Sequence, residues 1–128
     1  MAWAVTSHNL AGGGFCLHGT GDATGCEELL AAQGAGTYIQ LLGVVIAEVD
    51  AAATITVGSG ETTGAVTNPI LGPLAPLTTQ DGGPFVCIFP APVELAANTA
   101  LTVDASGATI NVTAFVKVRK LSGPHPPT

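Results

Sequence analysis

Four residues near the start are of types that could bind a metal together. His8, Cys16, His18 and Cys26 would make a zinc ligand set, and Cys16 and His18 would share one side of a strand. Structural zinc sites, however, usually bring cysteines in pairs separated by two to four residues, and this spacing is not of that kind. Ordinary loop residues and no metal are therefore the expectation. Cys16 and Cys26 could instead pair as a disulfide across the loop between them. The third cysteine, Cys87, makes the total odd, which is not a disulfide framework, and reduced thiols are the default. Cys87 lies in FVCIFP and reads as a small buried hydrophobe.

Other chemistry fails on spacing or composition. Glu48 and Asp50 bracket an expected hairpin end and could suit calcium, but no Asp-x-Asp-x-Asp-Gly loop accompanies them. Most other acids fall at expected turns or strand ends, where solvated carboxylates sit. No lysine precedes Lys117, so no phosphate-binding loop with its Gly-Lys pair exists. GTGDATG has the wrong glycine spacing for a dinucleotide turn and reads as a flexible loop. GSG at 58–60 reads as a turn, and no Gly-x-Ser-x-Gly elbow is present. Sugar-cleaving sites favour aromatic platforms, and the chain has one Trp, one Tyr and four Phe. The expectation is no enzyme, no catalytic residues and no cofactor.

Charge is scarce and unevenly placed. Charged residues make up 9% of the chain, against an average of about 25%. The net charge is −6, and the three cations, Lys117, Arg119 and Lys120, all fall near the end. Three clustered bases are too few to follow a phosphate backbone, so nucleic acid is excluded as a partner. The same balance disfavours an anionic membrane surface. The longest apolar run, LLGVVIA at 41–47, is far short of the roughly 20 residues a spanning helix needs. MAWAVTSHNL has no basic n-region, so no secretory signal is expected. So few charges imply a surface covered by copies of the chain or by another protein. The plain alternative is a neutral surface of Thr, Ser, Gly and Asn.

The elements that would carry these residues read as β. Small residues, Thr, Gly and Pro fit short strands joined by turns. Residues 1–36 read as a glycine-rich N-terminal arm or hairpin, with CEELLAAQ at 26–33 as one or two helical turns capped by Asp22 or Thr24. TYIQLLGVVIAEVD (37–50) is apolar on both faces and reads as a central strand. ATITVGSG (53–60) alternates and would close a hairpin with it. Four prolines in 61–84 make that segment a loop and exclude a central strand. FVCIFP (85–90) reads as a short buried strand ended by proline, and 93–107 as two short strands with DASG as a turn. ATINVTAFVKVRK (108–120) is the clearest strand. Ile110, Val112, Ala114, Val116 and Val118 form one face, and Thr109, Asn111, Thr113, Phe115, Lys117 and Arg119 the other. Three prolines make 121–128 an extended tail. The expected fold is an all-β antiparallel sandwich, jelly-roll-like, with its domain at 37–120 between the arm and the tail.

YIQLLGVVIAEVDAAATITVGSG followed by FVCIFPAPVELAANTALTVDASGATINVTAFVKVRK resembles the small β-sandwich structural proteins of tailed bacteriophages. Head decoration (cement) proteins are among them. The shared features are a strand entering TITVGSG through small residues, Phe89-Pro90 and Pro92 before a hairpin, and very low charge. The resemblance implies a virion protein made in the host cytoplasm and bound on the capsid surface. Its partners would be the major capsid protein and copies of itself, as a homotrimer at three-fold or quasi-three-fold positions. The alternative is a tail or fibre module that binds a receptor or carbohydrate. In the leading reading Lys117, Arg119 and Lys120 anchor an acidic patch on a partner or neighbouring protomer. The competing reading is a strand end that neutralises nearby acids such as Asp104 or Glu94.

Overall fold

The computed structural model describes residues 2–48, 54–74, 85–106 and 109–120. These form nine strands and no helix: β1 (Ala4–Asn9), β2 (Gly14–Asp22), β3 (Glu27–Leu30), β4 (Thr37–Glu48), β5 (Ile55–Thr62), β6 (Ala65–Leu74), β7 (Phe85–Glu94), β8 (Leu101–Ala105) and β9 (Thr109–Lys120). They make two antiparallel sheets, of order β1-β2-β9-β4-β7 and β3-β8-β5-β6. Buried side chains from both sheets form one cluster, as in a β-sandwich.

Strand β9 sits at the centre of the larger sheet, between β2 and β4. Its alternation places Ile110, Val112, Ala114 and Val116 in the core, all fully buried. Val118, expected on the same face, is only half-buried where the strand runs out of the core. Strand β4 is central, as expected, but only one of its faces is core. The register slips between Leu41 and Gly43, so two residues of β4 oppose one of β9. Ile39 and Leu41 point inward before the slip, and Val44 and Ile46 after it. The apolar run that suggested two covered faces is one apolar face that changes phase. The other face, with Tyr38, Gln40, Val45 and Ala47, is half-buried.

Several segments differ from the sequence expectation. CEELLAAQ is not helical: Glu27–Leu30 is a strand paired with β8. Asp22 accepts a hydrogen bond from the Thr24 amide at 2.9 Å, which closes a turn rather than capping a helix. Strands β4 and β5 lie in different sheets, so they do not form a hairpin. GTGDATG is not a loop over its first four residues, because β2 runs to Asp22 and pairs with β9 from Thr109 to Lys117. Its glycines leave room: a Cβ on Gly19 would collide with the Trp3 ring and with Leu29. Residues 14–30 thus supply strands to both sheets, and Leu17 and Leu29 enter the core. β1 and β2 pair antiparallel, with β1 at the edge of the larger sheet.

GSG at 58–60 lies inside β5, and the turn comes at Thr63–Gly64. Residues 65–74 are a strand despite Pro69 and Pro73, and they lie at a sheet edge. An edge tolerates missing donors, so the prolines excluded a central strand but not a strand. FVCIFP is neither buried nor ended by its proline, since β7 continues through Pro90 and Pro92 to Glu94 at the edge of the larger sheet. Asp104 and Ala105 belong to β8 rather than to a turn. Residues 49–53, 75–84 and 121–128, including Asp50, Asp81 and the tail, lie outside the described residues.

Candidate interaction surface

The outward face of the five-stranded sheet is built by the strand register. One row crosses all five strands as His8, Cys16, Phe115, Gly43 and Ile88. The next runs Thr6, His18, Thr113, Val45 and Val86. His18 Nδ1 and Thr113 Oγ1 are 3.2 Å apart across β2 and β9. The β1 side of the face is therefore small and polar, and the β7 side is apolar. Val86 is 57% exposed and Ile88 64%, the highest values among the exposed large hydrophobic residues of the described chain. Gly43 makes room for this edge: a Cβ there would come within 2.7 Å of Ile88 Cδ1.

Lys117 and Arg119 of the basic end lie on the same face, and Lys120 falls on the opposite side of the strand. Arg119 Nε and Nη2 donate to the two carboxylate oxygens of Glu94 at 2.7 and 2.8 Å. Gln40 Nε2 donates to the same carboxylate at 3.0 Å, and the guanidinium lies 4.5 Å over the Tyr38 ring. Glu94 is on β7, Gln40 and Tyr38 on β4, and Arg119 on β9. Together they strap three adjacent strands at one end. The Arg119 hydrogen bonds hold the Glu94 carboxyl below its ordinary range. The same partner raises the Arg119 pKa.

Of the three expected anchors, Arg119 is thus taken up by Glu94, one of the two acids the sequence suggested. Lys117 is exposed beside this strap, opposite Gly14 and Gln40. Lys120 is exposed at the strand end, opposite Thr37. Among the described residues only Arg119 has an ion-pair partner, so the cluster is a strap plus two lysines rather than three equivalent cations.

The four metal-type residues do not converge. His8, Cys16 and His18 share the outward face of the larger sheet, but Cys26 precedes β3 in the other sheet. Among the described residues no group of three or more His, Cys, Asp or Glu could hold a metal ion. All three cysteines are free, so Cys16 and Cys26 are not paired. Cys26 is buried, and that burial pushes its thiol pKa up, helped by the nearby carboxylates of Glu61, Asp104 and Glu27. Cys87 is half-buried rather than buried.

The apolar β7 edge is what sequence reasoning missed. The available signal was the pair of prolines, Pro84 and Pro90, that bound FVCIF, since prolines near a strand favour an edge. No family model matches this chain, and neither does a curated protein or a solved structure.

Proposed function

We propose that the chain is a structural virion protein, a decoration (cement) protein that binds the assembled head and stabilises contacts between major capsid subunits. The observation that carries this reading is the strand order. β2 pairs with β9, β3 with β8, β4 with β7 and β5 with β6, so the first strand of this set joins the last and the pairing works inward. The resulting orders, β2-β9-β4-β7 and β3-β8-β5-β6, support a jelly roll with β1 added at one edge. Jelly rolls recur in viral capsid and lectin domains. The low charge and the apolar side of the larger sheet favour a protein partner over a soluble substrate.

The mechanism is mass action. A protein that binds only the assembled shell stabilises it by RT ln(1 + [L]/Kd) at each site, and no chemistry is required. Lys117 supplies charge on that face that steers it towards an acidic patch on the capsid, and Lys120 adds to it from the end of the same strand.

The jelly-roll order also suits a lectin-like tail module. The aromatic side chains weigh against that reading. Trp3 packs over Gly19 and donates to the Glu28 carbonyl at 3.0 Å, and Tyr38 lies under Arg119. The one Trp and the one Tyr are thus engaged within the fold, not presented as sugar platforms. The test is co-sedimentation of the purified chain with assembled heads of the phage that encodes it. Saturable binding that raises the temperature of head disruption is expected. A chain that ignores heads at every salt concentration but binds on a glycan array would overturn the proposal in favour of the tail module.

A further inference from the structure

From Phe85 to Phe89, before its prolines Pro90 and Pro92, strand β7 has the side chains of an interior strand and the position of an edge strand. Among the described residues only β4 pairs with it. Phe85 and Phe89 pack against the core from the inward side, while Val86 and Ile88 stand exposed on the outward side. An uncharged apolar edge of this kind is a template for another strand, and proteins normally blunt such edges. The other three edges are blunted. β1 is short and polar (AVTSHN), β3 has four residues, and β6 carries Pro69 and Pro73. From Phe85 to Phe89, β7 has no charge and no proline.

The stretch is also symmetric. PFVCIFP at 84–90 reads nearly the same in both directions about Cys87, with Phe85 matching Phe89, Val86 matching Ile88 and Pro84 matching Pro90. Antiparallel pairing with a second copy about a two-fold axis at Cys87 sets Val86 against Ile88 of the other copy. It also sets Phe85 against Phe89, and Cys87 against its own counterpart. Prolines close both ends of the paired stretch, which limits slippage of the register.

We propose that two copies of this chain pair antiparallel along Phe85–Phe89, joining their five-stranded sheets into one. The contact is isologous: one patch binds itself. It carries the apolar stripe of Phe115, Val45, Val86 and Ile88 unbroken from one copy to the next. It links copies in pairs, in addition to any three-fold contact that the virion reading implies. It does not rest on that reading and is measured on the chain alone, so failure of either leaves the other standing.

Light scattering on the purified chain tests it. The wild-type protein is expected to have twice the mass of the Ile88→Lys variant at equal concentration. A Val86→Thr/Ile88→Thr double variant, with side chains that suit strands, should behave like Ile88→Lys while circular dichroism shows the fold retained. A second arm keeps Cys87 as the one thiol, in a Cys16→Ser/Cys26→Ala background. Mild oxidation should give a disulfide-linked dimer, and adding Ile88→Lys should abolish it. A wild-type mass that neither variant changes, or a dimer that never cross-links through Cys87, would overturn the proposal.

Discussion

Strands β9 and β7 belong to the same sheet and are comparably rich in apolar residues, yet they use them in opposite ways. β9 keeps its apolar residues on one face, Phe115 excepted, and offers Thr, Asn and Lys on the other. Ile110 is fully buried in it. β7 is apolar on both faces from Phe85 to Phe89, and its Ile88 is 64% exposed. An apolar residue on β9 therefore stabilises the fold of one chain. An apolar residue on the outer side of β7 adds little to that fold and has its consequence between chains. The difference separates what holds this protein together from what it is built to meet.

Substitutions can sharpen that contrast. Ile110→Ala should lower unfolding stability by about 2–5 kcal/mol, since a fully buried methylene-rich side chain leaves a cavity. Ile88→Ala in dilute solution should cost about 0.5 kcal/mol, as at an ordinary surface site. Urea unfolding of both variants checks the pair, and equal losses would break the distinction. Thr102→Val comes next. The Thr102 hydroxyl is buried and donates to the Gly60 carbonyl at 2.8 Å, tying β8 to β5. Its loss should cost about 1–2 kcal/mol in the same assay, with no change of mass in light scattering.

Thiol labelling gives a kinetic version of the comparison. Cys26, buried and with a raised pKa, should react most slowly with an aromatic disulfide reagent. Cys87 should react faster in Ile88→Lys than in the wild type, and Cys16 equally in both. The smallest effect expected is on pH. The Glu94 pKa is depressed by Arg119 below its ordinary 4.5. The pair's contribution is therefore fully present above that value and is lost as pH falls through the folded-state pKa. Because the pair is partly exposed, the effect should be slight and weaker in salt. The difference in melting temperature between wild type and Glu94→Gln should shrink as pH falls below 4.5.

How far the sequence disclosed this depends on the residue. β9 was legible because strict alternation has one physical meaning, a half-buried strand. β2 was not, because Gly19 hides a packing site: the bulk there is supplied by Trp3 and Leu29. β6 looks like a loop in the sequence because its prolines forbid interior pairing, and an edge needs none. β4 misled through its change of phase at Leu41–Gly43. At the surface, Glu94 was named as a partner for the basic end, and charge with proximity in the fold delivers that pairing. The exposure of Val86 and Ile88 was not legible, because an apolar pattern tells which side chains avoid water and not whether one chain suffices to cover them.

Amide hydrogen exchange measured over a range of protein concentrations bears most directly on the contrast between the two strands. β9 should be strongly protected at every concentration. Residues 85–89 should gain protection as concentration rises, and Ile88→Lys should remove that gain. Protection of 85–89 that stays the same at all concentrations, in wild type and variant alike, would contradict the account.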